Sequence, residues 1–216
     1  GGAGFGIAAD GLASAMLCHA LMGVGVAGTY MPGLRVLSDR SRGPAQSPYI
    51  AFYTSSFGIG TAISLALAGV LAPAWGWRSA FLVTATGPLL AGLWVFFFIE
   101  RSEKKPASVA PFSLATLFPV ASWRKVIADR AASGYVLGYV AHCIELFGSR
   151  GWMVAFLAFS ATLHAGPSFP WQLPAIAAVI NLLAVPASIF GNAMALRIGR
   201  RRWVLLGMAG SGRCGM

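Results

Sequence analysis

Charged residues are scarce in this sequence, and acidic residues are the scarcest. Only 10% of the 216 residues are charged, and Asp and Glu together number 6, whereas soluble domains carry roughly a quarter charged residues. Hydrophobic residues make up 57% of the chain, and the mean hydropathy is +0.71. Because so few charges could not cover that much apolar surface, the composition excludes a water-soluble globular domain.

Cysteine is also rare, and motifs for metal binding or catalysis are missing. The three cysteines, Cys18, Cys143 and Cys214, are isolated and lack the spacings of zinc sites or of a disulfide framework. We expect two of them to pack as small apolar residues inside helices. The sequence has no His-Glu-x-x-His motif, paired aspartates or nucleophile elbow, which argues against a membrane-embedded enzyme. We therefore expect no enzymatic activity, no metal and no cofactor.

The start of the sequence lacks the basic region and the cleavage pattern of a secretory signal. It reads instead as an apolar stub over residues 1–9, and the apolar run from Trp203 to Met216 ends too soon to span a membrane. We therefore expect both ends to be cut, and the remaining helices of a longer parent protein to be partners of this chain.

What the sequence does contain is long apolar blocks, each able to cross a hydrocarbon core about 30 Å thick as a helix. The blocks cover residues 12–37, 49–74, 79–99, 131–163 and 173–196. A polar connection over residues 100–130 separates the third block from the fourth, and a short surface helix is predicted around Phe112 to Leu117. The pattern predicts an all-helical, polytopic membrane protein with the lipid bilayer as a partner.

The basic residues predict the orientation of these blocks. The net charge is +10, but the Lys and Arg residues are concentrated in connectors and not along one face with interleaved aromatics, which argues against nucleic-acid binding. Thirteen of the sixteen lie in or beside residues 38–48, 100–130 and 197–202, which an alternating topology places on one side. Because cytoplasmic loops are enriched in Lys and Arg, we predict these connectors to be cytoplasmic and the membrane to be a bacterial inner membrane.

The first block carries small residues and a histidine. His19 is followed by Gly23, Gly25 and Gly28. Small residues let helices in lipid approach closely, so the three glycines are candidate helix-packing positions. An ionisable residue inside a span usually faces a bundle interior or a water-filled path, which makes His19 a candidate for substrate binding or proton coupling.

The fourth block holds the most informative chemistry. His142, Glu145 and Ser149 share one face of a helix, while Arg150, which lies between glycines, points elsewhere unless those glycines break the helix. A charge at mid-membrane costs roughly 3 kcal/mol, so pairing, water or a substrate must offset that cost. Glu145 is therefore a candidate proton-coupling group, His142 its proton partner and Arg150 a binder of an anionic substrate. A structural Glu145–Arg150 pair that holds two helices together is the alternative.

Taken in order, the motifs resemble those of the major facilitator superfamily. The first block is similar to the family's fourth helix, with His19 in place of the usual Arg, and the turn from Gly76 to Phe81 resembles that between helices five and six. The cluster after the fifth block resembles the loop between helices eight and nine, although Leu196 replaces an acid there. The second block lacks the Gly-Pro pair of the antiporter subset. The resemblance covers nearly the whole chain, roughly from helix three to helix nine.

This resemblance implies a domain organisation. Residues 1–99 would form the C-terminal part of the first transmembrane half, residues 100–130 a cytoplasmic central linker, and residues 131–216 the start of the second half of a twelve-helix bundle. In the family the loop between helices eight and nine latches helix ends together in one conformational state. The candidates for such a gating loop are Arg197, Gly199, Arg200 and Arg201. A plain positively charged anchor is the alternative.

The resemblance and the ionisable residues together predict a function. We expect secondary active transport of a small solute, an organic or inorganic anion, coupled to protons and working by alternating access. Asn181 and Ser188 either line the transport path or only pack the fifth block. An inactive truncated carrier and a non-transporting membrane scaffold or sensor remain alternatives, and a scaffold would tolerate neutralisation of Glu145 and Arg150.

Overall fold

The computed structural model describes residues 1–41, 43, 46–99, 118–163 and 172–214, in which every regular element is a helix. Within these ranges the helices are α1 (Gly2–Ala8), α2 (Leu12–Arg40), α3 (Gln46–Trp75), α4 (Trp77–Thr84), α5 (Thr86–Phe98), α6 (Val120–Ala128), α7 (Arg130–Leu163), α8 (Leu173–Ile198) and α9 (Arg200–Cys214). The predicted surface helix around Phe112 to Leu117 lies outside the described residues.

Among the described residues, 5 segments are long and apolar enough to cross a membrane. They are Leu12–Arg40, Gln46–Trp75, Trp77–Phe98, Arg130–Leu163 and Leu173–Ile198. Large apolar side chains on these segments are exposed; Phe96 is 73% and Trp152 74% accessible. Such surfaces are stable in lipid, where a helix satisfies its own backbone hydrogen bonds. The predicted all-helical membrane fold, with one span for each apolar block, is confirmed.

Two details differ from the sequence prediction. The third block is divided into α4 and α5 at Ala85, because Pro88 has no N–H to donate to the carbonyl one turn earlier. The polar connection contains the nine-residue helix α6, which the sequence analysis did not predict. After it, the carboxylate of Asp129 accepts hydrogen bonds from the backbone N–H groups of Ala131 and Ala132 at 2.8 and 3.0 Å, and so caps the first turn of α7.

The described chain forms two compact units, residues 94–153 and the remainder. In the larger unit the most extensive contact joins α3 to α8, and α1 packs on α2 and α4. Ser47 near the start of α3 bonds Asn192 near the end of α8, while Gly69 near the end of α3 faces Pro174 at the start of α8. The two helices are therefore antiparallel.

Small residues make this α3–α8 contact close. A Cβ placed on Gly58 would lie 3.1 Å from the backbone oxygen of Asn181, and one on Gly69 would lie 3.1 Å from Cβ of Pro174. Alanines fill the opposite side of the contact, where Ala177 is fully buried. The contact thus follows the rule that helices in lipid associate through small residues.

Candidate functional site

The ionisable residues of the fourth block lie on α7, which runs without interruption past Gly148 and Gly151. The sequence left open a break that would turn Arg150 toward His142 and Glu145; the structure has no break there. On a continuous helix Arg150 lies about 80° around the axis from His142 and about 140° from Glu145. Gly148 and Gly151 do not interrupt the backbone hydrogen bonds of the helix, because glycine, unlike proline, keeps its N–H group.

His142 and Glu145 are exposed in the structure, whereas Arg150 is partly buried. The face that His142 shares with Glu145 and Ser149 therefore has room for a solute, water or a further helix. Ser149 itself donates its hydroxyl to the carbonyl of Leu146 at 3.1 Å. The structure thus brings the predicted acid and imidazole to one accessible face and places the guanidinium outside that face, nearer to His142 than to Glu145.

His19 has a different setting in the other unit. Its ring stands edge-on to Phe5 of α1, with 4.9 Å between ring centroids, and its Nδ1 lies 3.3 Å from the carbonyl oxygen of Ala15 one turn earlier. The ring remains exposed. These contacts anchor α1 against α2, and a role of His19 in transport stays a prediction.

The glycines of α2 have open space beside them. A Cβ on Gly23, Gly25 or Gly28 would meet no atom of the described residues within 4 Å. The described residues therefore supply no packing partner for these three glycines. Their predicted role in helix packing stays a prediction, whereas the same role is visible for Gly58 and Gly69 of α3.

The turn between α3 and α4 brings together residues whose partners the sequence did not show. Gly76 has a φ of +81°, a conformation that favours glycine. It lets Arg78 pair with Asp10, which precedes α2, and stack over the ring of Trp77 at 5.2 Å. Arg78 and Asp10 are 68 residues apart. The sequence feature that could have predicted this ion pair is that each residue is an isolated charge between apolar segments.

The basic cluster after α8 begins a new helix. Gly199 ends α8 with a φ of +93°, and Arg200 and Arg201 are the first residues of α9. Arg200 lines a cavity of about 490 Å³ together with residues from the start of α3 and the end of α8. The other residues lining this cavity are Gln46, Ser47, Ile50, Ala51, Thr54, Ser188 and Asn192. Sequence analysis did not find this cavity, because its walls lie more than a hundred residues apart.

The same contacts place two of the arginine-rich connectors together. Ser47 donates a hydrogen bond to Asn192 at 2.7 Å, and Gln46 donates one to Ser38 at 2.7 Å. The end of α2, the start of α3 and the junction of α8 with α9 therefore lie at one end of this unit. Arg78, in the turn between α3 and α4, lies at the other end.

The described residues do not bring three His, Cys, Asp or Glu side chains together in a way that could hold a metal. What the molecule offers chemically is an acid and an imidazole on one helix face, a guanidinium on another side of the same helix, and a polar cavity at the arginine-rich end of the other unit. Ionisable side chains within membrane spans are typical of paths for ions, protons or polar substrates.

Comparisons with known proteins agree with this reading at the level of the family. No curated protein and no solved structure matches the chain. The family model described as Major Facilitator Superfamily matches residues 1–216. Because that model covers residues 1–216 and the described residues include 5 helices long and apolar enough to cross a membrane, the chain belongs to the major facilitator superfamily.

Proposed function

We propose that this chain is the central part of a proton-coupled transporter for a small anion that works by alternating access. Members of its family are secondary transporters of small molecules in membranes and are carriers, not enzymes. The observation that supports proton coupling and anion transport is the accessible face of His142 and Glu145 in the middle of an apolar helix.

Glu145 is the proposed proton-coupling group. It lies close to the midpoint of α7, which has 34 residues and a length of about 50 Å. A charged carboxylate near the middle of a membrane span costs roughly 3 kcal/mol. Whether Glu145 is protonated there therefore depends on its access to water, a cation or a proton. Protonation removes that cost, which gives the helix two states of different energy. His142, one turn earlier on the same face, is the proposed proton partner.

Arg150 is the proposed group for binding the anion. Its guanidinium is always charged and presents donors in a planar fork that matches carboxylate and phosphate oxygens. Because Arg150 lies about 80° around the axis of α7 from His142 and about 140° from Glu145, a solute bound beside His142 can contact the arginine without displacing the acid. His19, in the other unit, is proposed as a further polar group of the path.

The basic connectors are proposed to be cytoplasmic, in a bacterial inner membrane, because the strong enrichment of Lys and Arg in residues 38–48, 100–130 and 197–202 matches that side. Gly199 and the arginines beside it are the proposed gating loop. The positive φ of Gly199 supports this role, since it directs the chain from α8 into α9 at the end where α3 begins. The two transmembrane halves would then be divided by residues 100–130.

The test is uptake by the intact transporter that contains this chain, reconstituted in liposomes with an imposed proton gradient and a panel of labelled small anions. Glu145→Gln should abolish gradient-driven uptake and leave expression intact, because Gln cannot carry the proton. Asp39→Asn, which neutralises an exposed acid paired with Arg35, is the matched control and should keep uptake.

Unchanged uptake in Glu145→Gln would remove this residue from the mechanism. Retained function after neutralisation of both Glu145 and Arg150 would favour a non-transporting scaffold or sensor. Exchange of labelled for unlabelled anion needs no net proton movement, so exchange that persists in Glu145→Gln would separate a coupling role from a role in substrate binding.

A further inference from the structure

Helix α6 carries its apolar and its basic residues on different sides. At about 100° per residue, its large apolar side chains fall within an arc of about 120°, here called the apolar face. They are Val120, Trp123, Val126 and Ile127. Arg124 lies just beyond the edge of the apolar face, Lys125 lies on the opposite side, and the helix has no acidic residue. α6 is therefore an amphipathic helix with a basic polar side.

The apolar face of α6 is open in the described part of the chain. All nine residues of the helix are exposed, and Val120 and Ile127 are 61% and 73% accessible. Trp123 contacts Phe118 edge-on, with 6.3 Å between ring centroids, yet both residues stay about half exposed. The two rings thus extend the apolar face toward the start of the helix without covering it.

A helix as short as α6 needs a surface to stabilise it. It has 9 residues, whereas isolated helices shorter than about 12 to 15 residues are marginal in water. Val120, Val126 and Ile127 are β-branched, which lowers helix propensity further. Among the described residues, no side-chain hydrogen bond caps its first turn. The helix is therefore expected to depend on contact between its apolar face and another apolar medium.

The bilayer is the apolar medium next to α6. The candidate span α7 begins at Arg130, so Asp129 alone separates it from α6. Asp129 has an extended backbone, with φ −80° and ψ 109°, which ends α6 before the span begins. The carboxylate of Asp129 already accepts two N–H groups of α7, so Arg124, Lys125 and Arg130 leave this junction positively charged. Tryptophan is enriched at membrane–water interfaces, which suits Trp123 to the same position.

We propose that α6 lies along the bilayer surface, with its apolar face below the headgroups and its basic residues bound to the phosphates of anionic lipids. Helices with an apolar face and a basic polar face bind membranes in this way, through buried apolar area and attraction to anionic lipids. This inference goes beyond the proposed transport function, because α6 contributes no residue to the His142–Glu145 face and its seating needs neither a solute nor a proton gradient.

The experiment measures the depth of α6 by spin labelling. The protein, with its native cysteines replaced by alanine, is reconstituted in nanodiscs of phosphatidylcholine and phosphatidylglycerol, and one cysteine is introduced for the label. A label at Ile127→Cys should collide mainly with oxygen, which concentrates in lipid. A label at Ala121→Cys, about 120° away around the same helix, is the matched control and should collide mainly with a water-soluble nickel chelate.

A second arm tests the role of lipid charge. The line shape of the label at Ile127→Cys gives the ratio of seated to free α6, which should rise when phosphatidylglycerol replaces part of the phosphatidylcholine. Joint Arg124→Gln and Lys125→Gln substitution should lower that ratio at least about tenfold, since each basic residue near an anionic surface contributes about fivefold. Joint Arg40→Gln and Arg213→Gln substitution is the matched control: it removes the same charge from the last turns of α2 and α9 and should leave the ratio unchanged.

Three results would overturn the proposal. The first is a label at Ile127→Cys that collides with the nickel chelate as readily as one at Ala121→Cys, which would place α6 in water. The second is shielding of Ile127→Cys from both oxygen and the chelate, which would mean that protein and not lipid covers the apolar face. The third is a ratio that does not depend on phosphatidylglycerol, or that falls equally in the two double variants. The dependence on phosphatidylglycerol is measured with Arg124 and Lys125 in place, so it decides the question even where the double variant fails to fold.

Discussion

The α3–α8 contact and the polar face of α7 differ in burial and in the kind of residue they contain. In α3, 22% of the most apolar stretch is buried, and the buried residues are mostly small; in α7 none of the corresponding stretch is buried. The ionisable residues lie on the helix without buried positions, whereas the helix with buried positions carries Gly58, Ala62 and Gly69.

The difference shows that the residues that pack helices together and the candidate functional residues lie on different helices. Small residues allow two backbones to approach, and their energy comes from close contact. Ionisable residues need an accessible polar environment, so they cannot occupy such a contact without a large desolvation cost. We therefore expect substitutions in the α3–α8 contact to change stability, and substitutions on α7 to change transport.

The largest stability effect is expected from Gly58→Leu. The new side chain would meet the backbone oxygen of Asn181, which cannot move aside as a side chain could, and overpacking of this kind costs about 1 to 3 kcal/mol. Thermal unfolding of the purified protein measures the loss. Gly60→Leu is the control on the same helix, because a Cβ at Gly60 meets nothing within 4 Å among the described residues. Equal melting temperatures of the two variants would contradict the contact.

Arg150→Gln should act on substrate affinity and not on folding. Loss of the bidentate guanidinium is expected to raise the KM for an anionic substrate about tenfold, equivalent to about 1.4 kcal/mol, with an unchanged melting temperature. Arg130→Gln, at the first position of the same helix, is the matched control for charge. A lower melting temperature with unaltered KM would show that Arg150 is a structural residue, as in the alternative of a pair with Glu145.

Ser47→Ala tests the polar end of the α3–α8 contact. It removes the hydrogen bond to Asn192, and we expect a loss of about 0.5 to 1.5 kcal/mol. Ser56→Ala is the control, since the hydroxyl of Ser56 is exposed and, among the described residues, donates only to the carbonyl of Tyr53 in its own helix. Thermal unfolding should rank Ser47→Ala below Ser56→Ala; the reverse order would mean that the bond contributes nothing.

The smallest effect is expected from Gly25→Leu in the chain by itself. Because no described atom lies near a Cβ at this position, the change in stability should stay within about 0.5 kcal/mol, as for an exposed substitution. In the intact transporter, where the predicted packing partner would be present, the same substitution should lower the melting temperature. No decrease in either protein would mean that Gly25 is not a packing position.

The sequence predicted most of the helical framework, because hydropathy acts locally. Each apolar block corresponds to one candidate span, and the turn at Gly76 lies between the second and third blocks, where the family resemblance places it. The candidate site was predicted less completely. The sequence placed His142 and Glu145 on one face, but it could not decide whether the glycines around Arg150 break α7, because glycine in a helix is costly without being prohibitive.

What the sequence alone determined is which segments cross the bilayer and which residues are too polar to face lipid. Both follow from the cost of moving a residue out of water, which depends on the residue and its immediate neighbours. Only the tertiary structure decided that α3 packs antiparallel on α8, that Asp10 pairs with Arg78, and that Arg200 shares a cavity with Ser47. These contacts join residues far apart in the chain, and close packing between particular small side chains selects them.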